Sequence, residues 1–193
     1  MPKIIEDENI FRAVIQVVIE RGYAGATTKQ MADAAEVSEV TLFRKYENKA
    51  MLVKRAISSI VEQTDFSSAA QYTGDIHADL LRVVQAYQDS AVKHGFFFAA
   101  LFSEISRYPE LIDALDEPLN IFHAIGELIT RYQKEGALEQ EHPTYTVAAL
   151  LGPLIYVALM HGAIPFDQLP RLNLSNYVEA FLAGRSNYPI KPN

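Results

Sequence analysis

Apolar residues recur along most of this chain at helical spacing. Phe11, Val14, Ile15 and Val18 follow the i, i+3, i+4, i+7 rule of a buried stripe, which predicts a helix from about residue 6 to 21, ended by Gly22. Met31, Ala32 and Ala35 mark one face of a short helix over 28–35, and a second short helix follows, running to about Tyr46. Leu52, Ala56, Ile57 and Ile60 predict a long helix that starts at Lys49 and reaches about Ser67. Leu80, Leu81, Val84 and Tyr87 define a helix over 76–94 that Gly95 stops, and FFFAALFSEISRY forms the next one, ended by Pro109. Leu111, Leu115, Leu119, Phe122, Ile125 and Ile129 predict a helix over 110–134. An apolar helix over 145–161 and a last helix over 175–183 complete the set, with a loop over 165–173 between them. No alternating strand pattern and no internal repeat appears. The expectation is an all-α chain of nine helices. A three-helix head occupies residues 1–47, a larger helical body residues 48–185, and a disordered tail residues 186–193.

The polar residues between the first helices are as informative as the stripes. Thr27 with Gln30 three residues later forms a capping box. Ala32 is small enough for a second helix to approach closely. Glu36 and Val37 make a tight connection, and Ser38 caps the next helix. Two short helices joined by a turn of three to four residues form a helix-turn-helix, whose second helix enters the DNA major groove. Asn48 caps the following helix, with Lys49 at its positive end, an arrangement suited to a phosphate. Ser38, Glu39, Thr41, Arg44 and Lys45 are the candidates for the groove. Thr28, Lys29, Tyr46 and Lys49 are the candidates for the DNA backbone, and the ring of Phe43 for packing against it. Arg44 suits either a bidentate guanine contact or a phosphate, and the sequence leaves both open.

GYAGATTKQMADAAEVS, TLFRKY and NKAML, preceded by IFRAVIQVVIERGY, resemble the DNA-binding domain of the TetR family of bacterial transcriptional repressors. The likeness runs from Phe11 to Leu52. This chain departs from the family pattern at Glu36, where glycine is usual and a left-handed backbone is needed. It departs again at Glu39 and Val40, where lysine and glycine are frequent, and at Phe43, where tyrosine usually contacts a phosphate. The resemblance implies a second domain with a small-molecule cavity. Tyr87, Phe98, Phe102, Phe122 and Tyr156 are the candidates to line it, although aromatics at helical spacing also build plain cores.

Charge and composition narrow the function. The net charge is −7, yet it is unevenly spread. Residues 1–57 carry nine Lys/Arg against eight Asp/Glu, a net +1, and residues 58–193 carry eight against sixteen, a net −8. The acidic charge therefore lies outside the helix-turn-helix, whose basic face is weak. The absence of cysteine excludes disulfides, thiol catalysis and cysteine-ligated zinc, and suits a cytoplasmic protein. Residues 147–160 are wholly apolar, but Gly152-Pro153 interrupts the stretch and no Lys or Arg anchors it, so a buried helix is expected and no membrane span. His123 and Glu127 stand four apart, a weak spacing that predicts no metal site. No catalytic motif or cofactor is expected. An operator read by one short helix calls for symmetric pairing, so the expected form is a homodimer. Its interface is a four-helix bundle of the 145–161 and 175–183 helices, burying Leu150, Leu154, Val157, Tyr177 and Phe181. The expected function is a ligand-responsive transcriptional regulator, a repressor released from palindromic double-stranded DNA by a small, mainly apolar effector. The alternative is a helical small-molecule-binding protein or enzyme whose helix-turn-helix is only structural.

Overall fold

The computed structural model describes residues 7–64, 66–160 and 172–185, and only the backbone of Phe66, Ser67, Phe96, Ala99 and Phe102. Among these residues the chain is all-helical, with no strand. The elements are α1 (Asp7–Gly25), α2 (Thr28–Ala34), α3 (Glu39–Tyr46), α4 (Lys49–Glu62), α5 (Phe66–Ala69), α6 (Ile76–Phe102), two 3₁₀ turns (Pro109–Leu111 and Asp113–Leu115), α7 (Asp116–Lys134), α8 (Pro143–Leu159) and α9 (Leu174–Ala183). The expected loop over 165–173 and the expected tail fall mostly or wholly outside the described residues.

The chain forms two compact units. The first comprises the residues up to Gln63 together with His94–Pro118. Its core joins Ile10, Val14 and Val18 of α1, Met31 and Ala32 of α2, Leu42 and Tyr46 of α3, and Leu52, Val53, Ala56, Ile57 and Ile60 of α4. Phe97 and Leu101, near the end of α6, and Leu111 and Ala114 in the 3₁₀ turns complete it. The second unit comprises Thr64–Lys93 and the residues from Leu119 onward. Leu80, Val83 and Val84 of α6 pack there with Ile125, Leu128, Ile129 and Tyr132 of α7, Leu150, Leu151 and Leu154 of α8, and Val178, Phe181 and Leu182 of α9.

Three boundaries differ from the sequence pattern. Gly95 does not stop a helix, and α6 runs unbroken for 27 residues. An interior glycine costs a helix only about 1 kcal/mol. Phe97 and Leu101, both buried, offset that by entering the first core. The helix expected from residue 110 starts at Asp116, because Pro109 opens a 3₁₀ turn and the chain tightens twice before α7. The helix from Lys49 ends at Glu62, four residues before α5 begins. Gly22 behaves as expected. It carries φ 67° at the kink where the regular part of α1 ends, and a Cβ built there would stand 2.8 Å from Glu104 Oε1.

Candidate nucleic-acid interface

Local hydrogen bonds build the helix-turn-helix. The Thr27 hydroxyl accepts from the Gln30 N–H at 3.2 Å, and the Gln30 side chain accepts from the Thr27 N–H at 2.9 Å, a complete capping box. The turn is closed by the Val37 N–H donating to the Ala32 carbonyl at 3.0 Å, with Glu36 left-handed at φ 55°. Ser38 caps α3 by accepting from the Thr41 N–H at 3.1 Å, and the two hydroxyls lie 2.8 Å apart. Thr28 donates to Glu39 at 2.5 Å and so ties the start of α2 to the start of α3. At the far end of α3, Glu47 has φ 63° and ψ −54°, and the Asn48 N–H donates across it to the Tyr46 carbonyl at 2.6 Å. That is a strained positive-φ γ-turn.

Leu42 and Tyr46 face inward, and the Tyr46 ring lies 5.7 Å from that of Phe11. Thr41 is half-buried, whereas Val40, Phe43, Arg44 and Lys45 are exposed. The expected contact residues divide into three groups. Lys29, Phe43 and Arg44 are exposed and carry no hydrogen bond or ion pair among the described residues. Thr28 is paired with Glu39, and Ser38 with Thr41, at the helix starts. Lys45, Tyr46 and Lys49 are engaged elsewhere in the unit. Lys45 pairs with Asp7, and the Tyr46 hydroxyl donates to the same carboxylate at 3.0 Å. Tyr46 is buried, so its expected role on the DNA backbone gives way to an anchor for α1.

Lys49 also departs from expectation. Its helix is capped as anticipated, Asn48 accepting from the Met51 N–H at 2.9 Å. The ammonium, however, donates to the Tyr23 carbonyl and sits 4.1 Å over the Tyr23 ring instead of pointing outward from the helix start. Burial holds its pKa below the usual lysine value, with Glu104 and Glu110 acting in the opposite sense. The Tyr23 hydroxyl is pushed up to about 12, first by burial and then by Glu110, whose carboxylate accepts from it at 3.4 Å.

Val40 is the residue the sequence reading missed. It entered only as a departure from a family pattern, yet it is 74% exposed on α3. The available signal was its place in the first turn of the reading helix, out of register with Leu42 and Tyr46.

The expected ligand residues divide between the two units. Tyr87 and Phe122 pack on the second core, and burial pushes the Tyr87 hydroxyl up to about 12. Phe98 packs on the first core. The Phe102 side chain lies outside the described residues, and Tyr156 is exposed rather than lining an interior. The expected dimer set changes as well. Leu150, Leu154 and Phe181 are buried in the second unit's own core, and the Tyr177 hydroxyl donates to the Leu150 carbonyl at 2.5 Å. Of that set only Val157 is exposed, alongside Tyr145, Tyr156 and Leu159 of the same helix. His123 and Glu127 are exposed, and the described residues contain no group of three or more potential metal ligands.

Two short capped helices, the second with its inner side in the core and its outer side free, define a helix-turn-helix DNA-binding protein of the all-α class. Residues 10–56 match the model of bacterial regulatory proteins of the tetR family. The chain is 26% identical over 162 residues to the uncharacterized HTH-type transcriptional regulator YvkB of Bacillus subtilis, covering 78% of this chain and 82% of that protein. It is 28% identical over 109 residues to an uncharacterized HTH-type regulator of Mycobacterium bovis, about half of each chain. In fold it is similar to a transcriptional regulator of a Rhodococcus species, with a TM-score of 0.71 at 16% identity, covering 95% of this chain and all of that one. The TetR-family regulator PfmR of Thermus thermophilus gives a TM-score of 0.66 at 14% identity, covering 90% and 94%. Over residues 10–56 the chain thus carries a DNA-binding domain of the tetR type of bacterial regulatory proteins. None of its described helices is long and apolar enough to cross a membrane.

Proposed function

We propose that this chain is a ligand-responsive repressor that binds a palindromic operator as a homodimer and leaves it when a small, mainly apolar effector binds. The observation that carries the DNA arm is the outer side of α3. It presents Val40, Phe43 and Arg44 with no hydrogen bond or ion pair among the described residues, on a helix fixed by the Ser38 cap and the buried Leu42 and Tyr46. Lys29 supplies a cation beside it at the start of α2, and Thr28 holds Glu39 in place. In this reading the head of residues 1–47 recognises DNA, and residues 48–185 bind the effector and the partner subunit.

The dimer arm rests on α8. Tyr145, Tyr156, Val157 and Leu159 are exposed on a helix that is otherwise apolar, and a bare apolar face of this kind is a mark of association. The effector arm rests on the apolar surroundings of Tyr87 and Phe122 in the second unit, which favour a mainly apolar effector.

A gel shift with the region upstream of the protein's own gene tests the DNA arm. The expected result is a discrete complex that survives excess nonspecific DNA and disappears with Arg44→Ala. A protein that binds that region no better than random duplex would sink the reading.

A further inference from the structure

The outer side of α3 holds few groups able to read a base. Ser38 and Thr41 spend their hydroxyls on the helix cap and on each other, and Glu39 accepts from Thr28. Lys45 is drawn to Asp7, and Tyr46 is buried. Val40, Phe43 and Arg44 remain. Val40 is the most exposed large hydrophobic among the described residues, at 74%, and Phe43 is 46% exposed. A β-branched residue on an exposed helical position is poor for the helix and poor in water, so local structure gives no reason for it. Val40 lies in the first turn of α3, the end that meets base edges when a recognition helix docks. Phe43 and Arg44 stand three and four residues further on, and so share its face.

The major groove offers one apolar feature, the 5-methyl group of thymine. We propose that Val40, backed by the ring of Phe43, reads a thymine methyl in each half-site, next to the base or phosphate that Arg44 takes. The proposal rests on the DNA-binding reading above and specifies what its surface selects. Removing one methyl from a closely packed apolar contact lowers affinity about fourfold, and about fifteenfold when both half-sites lose it.

The test begins with the full-length protein selecting duplexes from a random-sequence library. Each thymine of the winning site is then replaced in turn by deoxyuridine, which removes only the methyl group. One symmetry-related pair of thymines is expected to show the fourfold and fifteenfold losses with the wild type. Val40→Ser, and independently Val40→Asn, remove the apolar contact and should bind the thymine and deoxyuridine forms equally while keeping the wild-type circular dichroism spectrum. Indifference of the wild type to every methyl overturns the inference, as does a preference that survives in both variants. If the library yields no enriched sequence, the DNA-binding reading itself fails, and this inference with it.

Discussion

Lys49 sits at a helix start flanked by basic and capping residues, and its local sequence points it at a phosphate. Its ammonium instead lies over the Tyr23 ring and donates to the Tyr23 carbonyl, with Glu104 and Glu110 as the nearby acids. Those carboxylates lie more than fifty residues further along the chain, so no reading of the motif alone could find them. Val40 was hidden for a different reason, because Leu42 alone marks one inward position on an eight-residue helix, and Tyr46, expected on the DNA, fixes the outer side only once it is seen inside. The caps at Thr27, Ser38 and Asn48 were legible because each involves a hydroxyl or amide and an N–H three residues away. The Lys49 geometry has a measurable consequence. Lys49→Ala should lower the stability of the first unit by about 1–2 kcal/mol, through the lost cation–π contact and hydrogen bond. It should leave the salt dependence of operator binding unchanged, whereas Lys29→Ala should reduce that slope by about one. Urea denaturation and a salt titration of each variant decide this. A flattened slope in Lys49→Ala would mean that the ammonium leaves Tyr23 for a phosphate on DNA.

At the scale of elements, α6 shows where pattern reading stops. Its start was readable, with Asp75 accepting from the Ala78 N–H at 3.0 Å. Its passage through Gly95 was not, because the burial of Phe97 and Leu101 that offsets the glycine is supplied by helices far away in sequence. Near its start α6 carries Asp79, whose side chain is fully buried. It accepts from the Thr73 N–H at 2.8 Å and hydroxyl at 2.5 Å, from the Tyr132 hydroxyl at 2.6 Å and from Arg82 at 2.8 Å. Burial alone would raise its pKa, but these donors outweigh it and hold the carboxyl below its usual value. The network fastens the loop before α6 to α7. Asp79→Asn puts an amide donor among four donors and should cost about 2–3 kcal/mol at pH 7. A depressed carboxyl pKa stabilises above the unfolded value near 4 and loses that contribution as pH falls through the folded value. The difference in urea midpoint between wild type and variant should therefore be widest at neutral pH and shrink below about pH 4. A gap that stays constant down to pH 3 would mean that the carboxylate charge is not what the network uses.

At the scale of the whole molecule, α8 is the helix that bears on pairing. The sequence marked it as buried, since it is apolar on every side, but a helix without a polar face has no stripe to say which residues meet its own core. The folded chain makes that choice, with Leu150, Leu151 and Leu154 inward and Tyr145, Tyr156, Val157 and Leu159 outward. The outward set begins at residue 145 and recurs at 156 and 159, spanning most of the helix. Two copies related by a two-fold axis would cover this face with the same residues from each side. Pairing also answers the weakness of the DNA surface. Residues 1–57 carry a net charge of only +1 and three exposed reading residues, which gives one subunit little affinity; symmetric docking on two half-sites about one helical turn apart would double every contact. Val157→Asp places a charge on the exposed side of α8 and should give monomers in analytical ultracentrifugation at micromolar concentration. Because the substitution lies on an exposed position, the helical signal and denaturation midpoint should stay near wild type. Operator affinity should fall by a hundredfold or more, as expected when the second half-site ceases to be bound within one complex. Dimers that persist with Val157→Asp would place the interface on another surface. Monomers that still bind the operator at wild-type affinity would remove the need for pairing altogether.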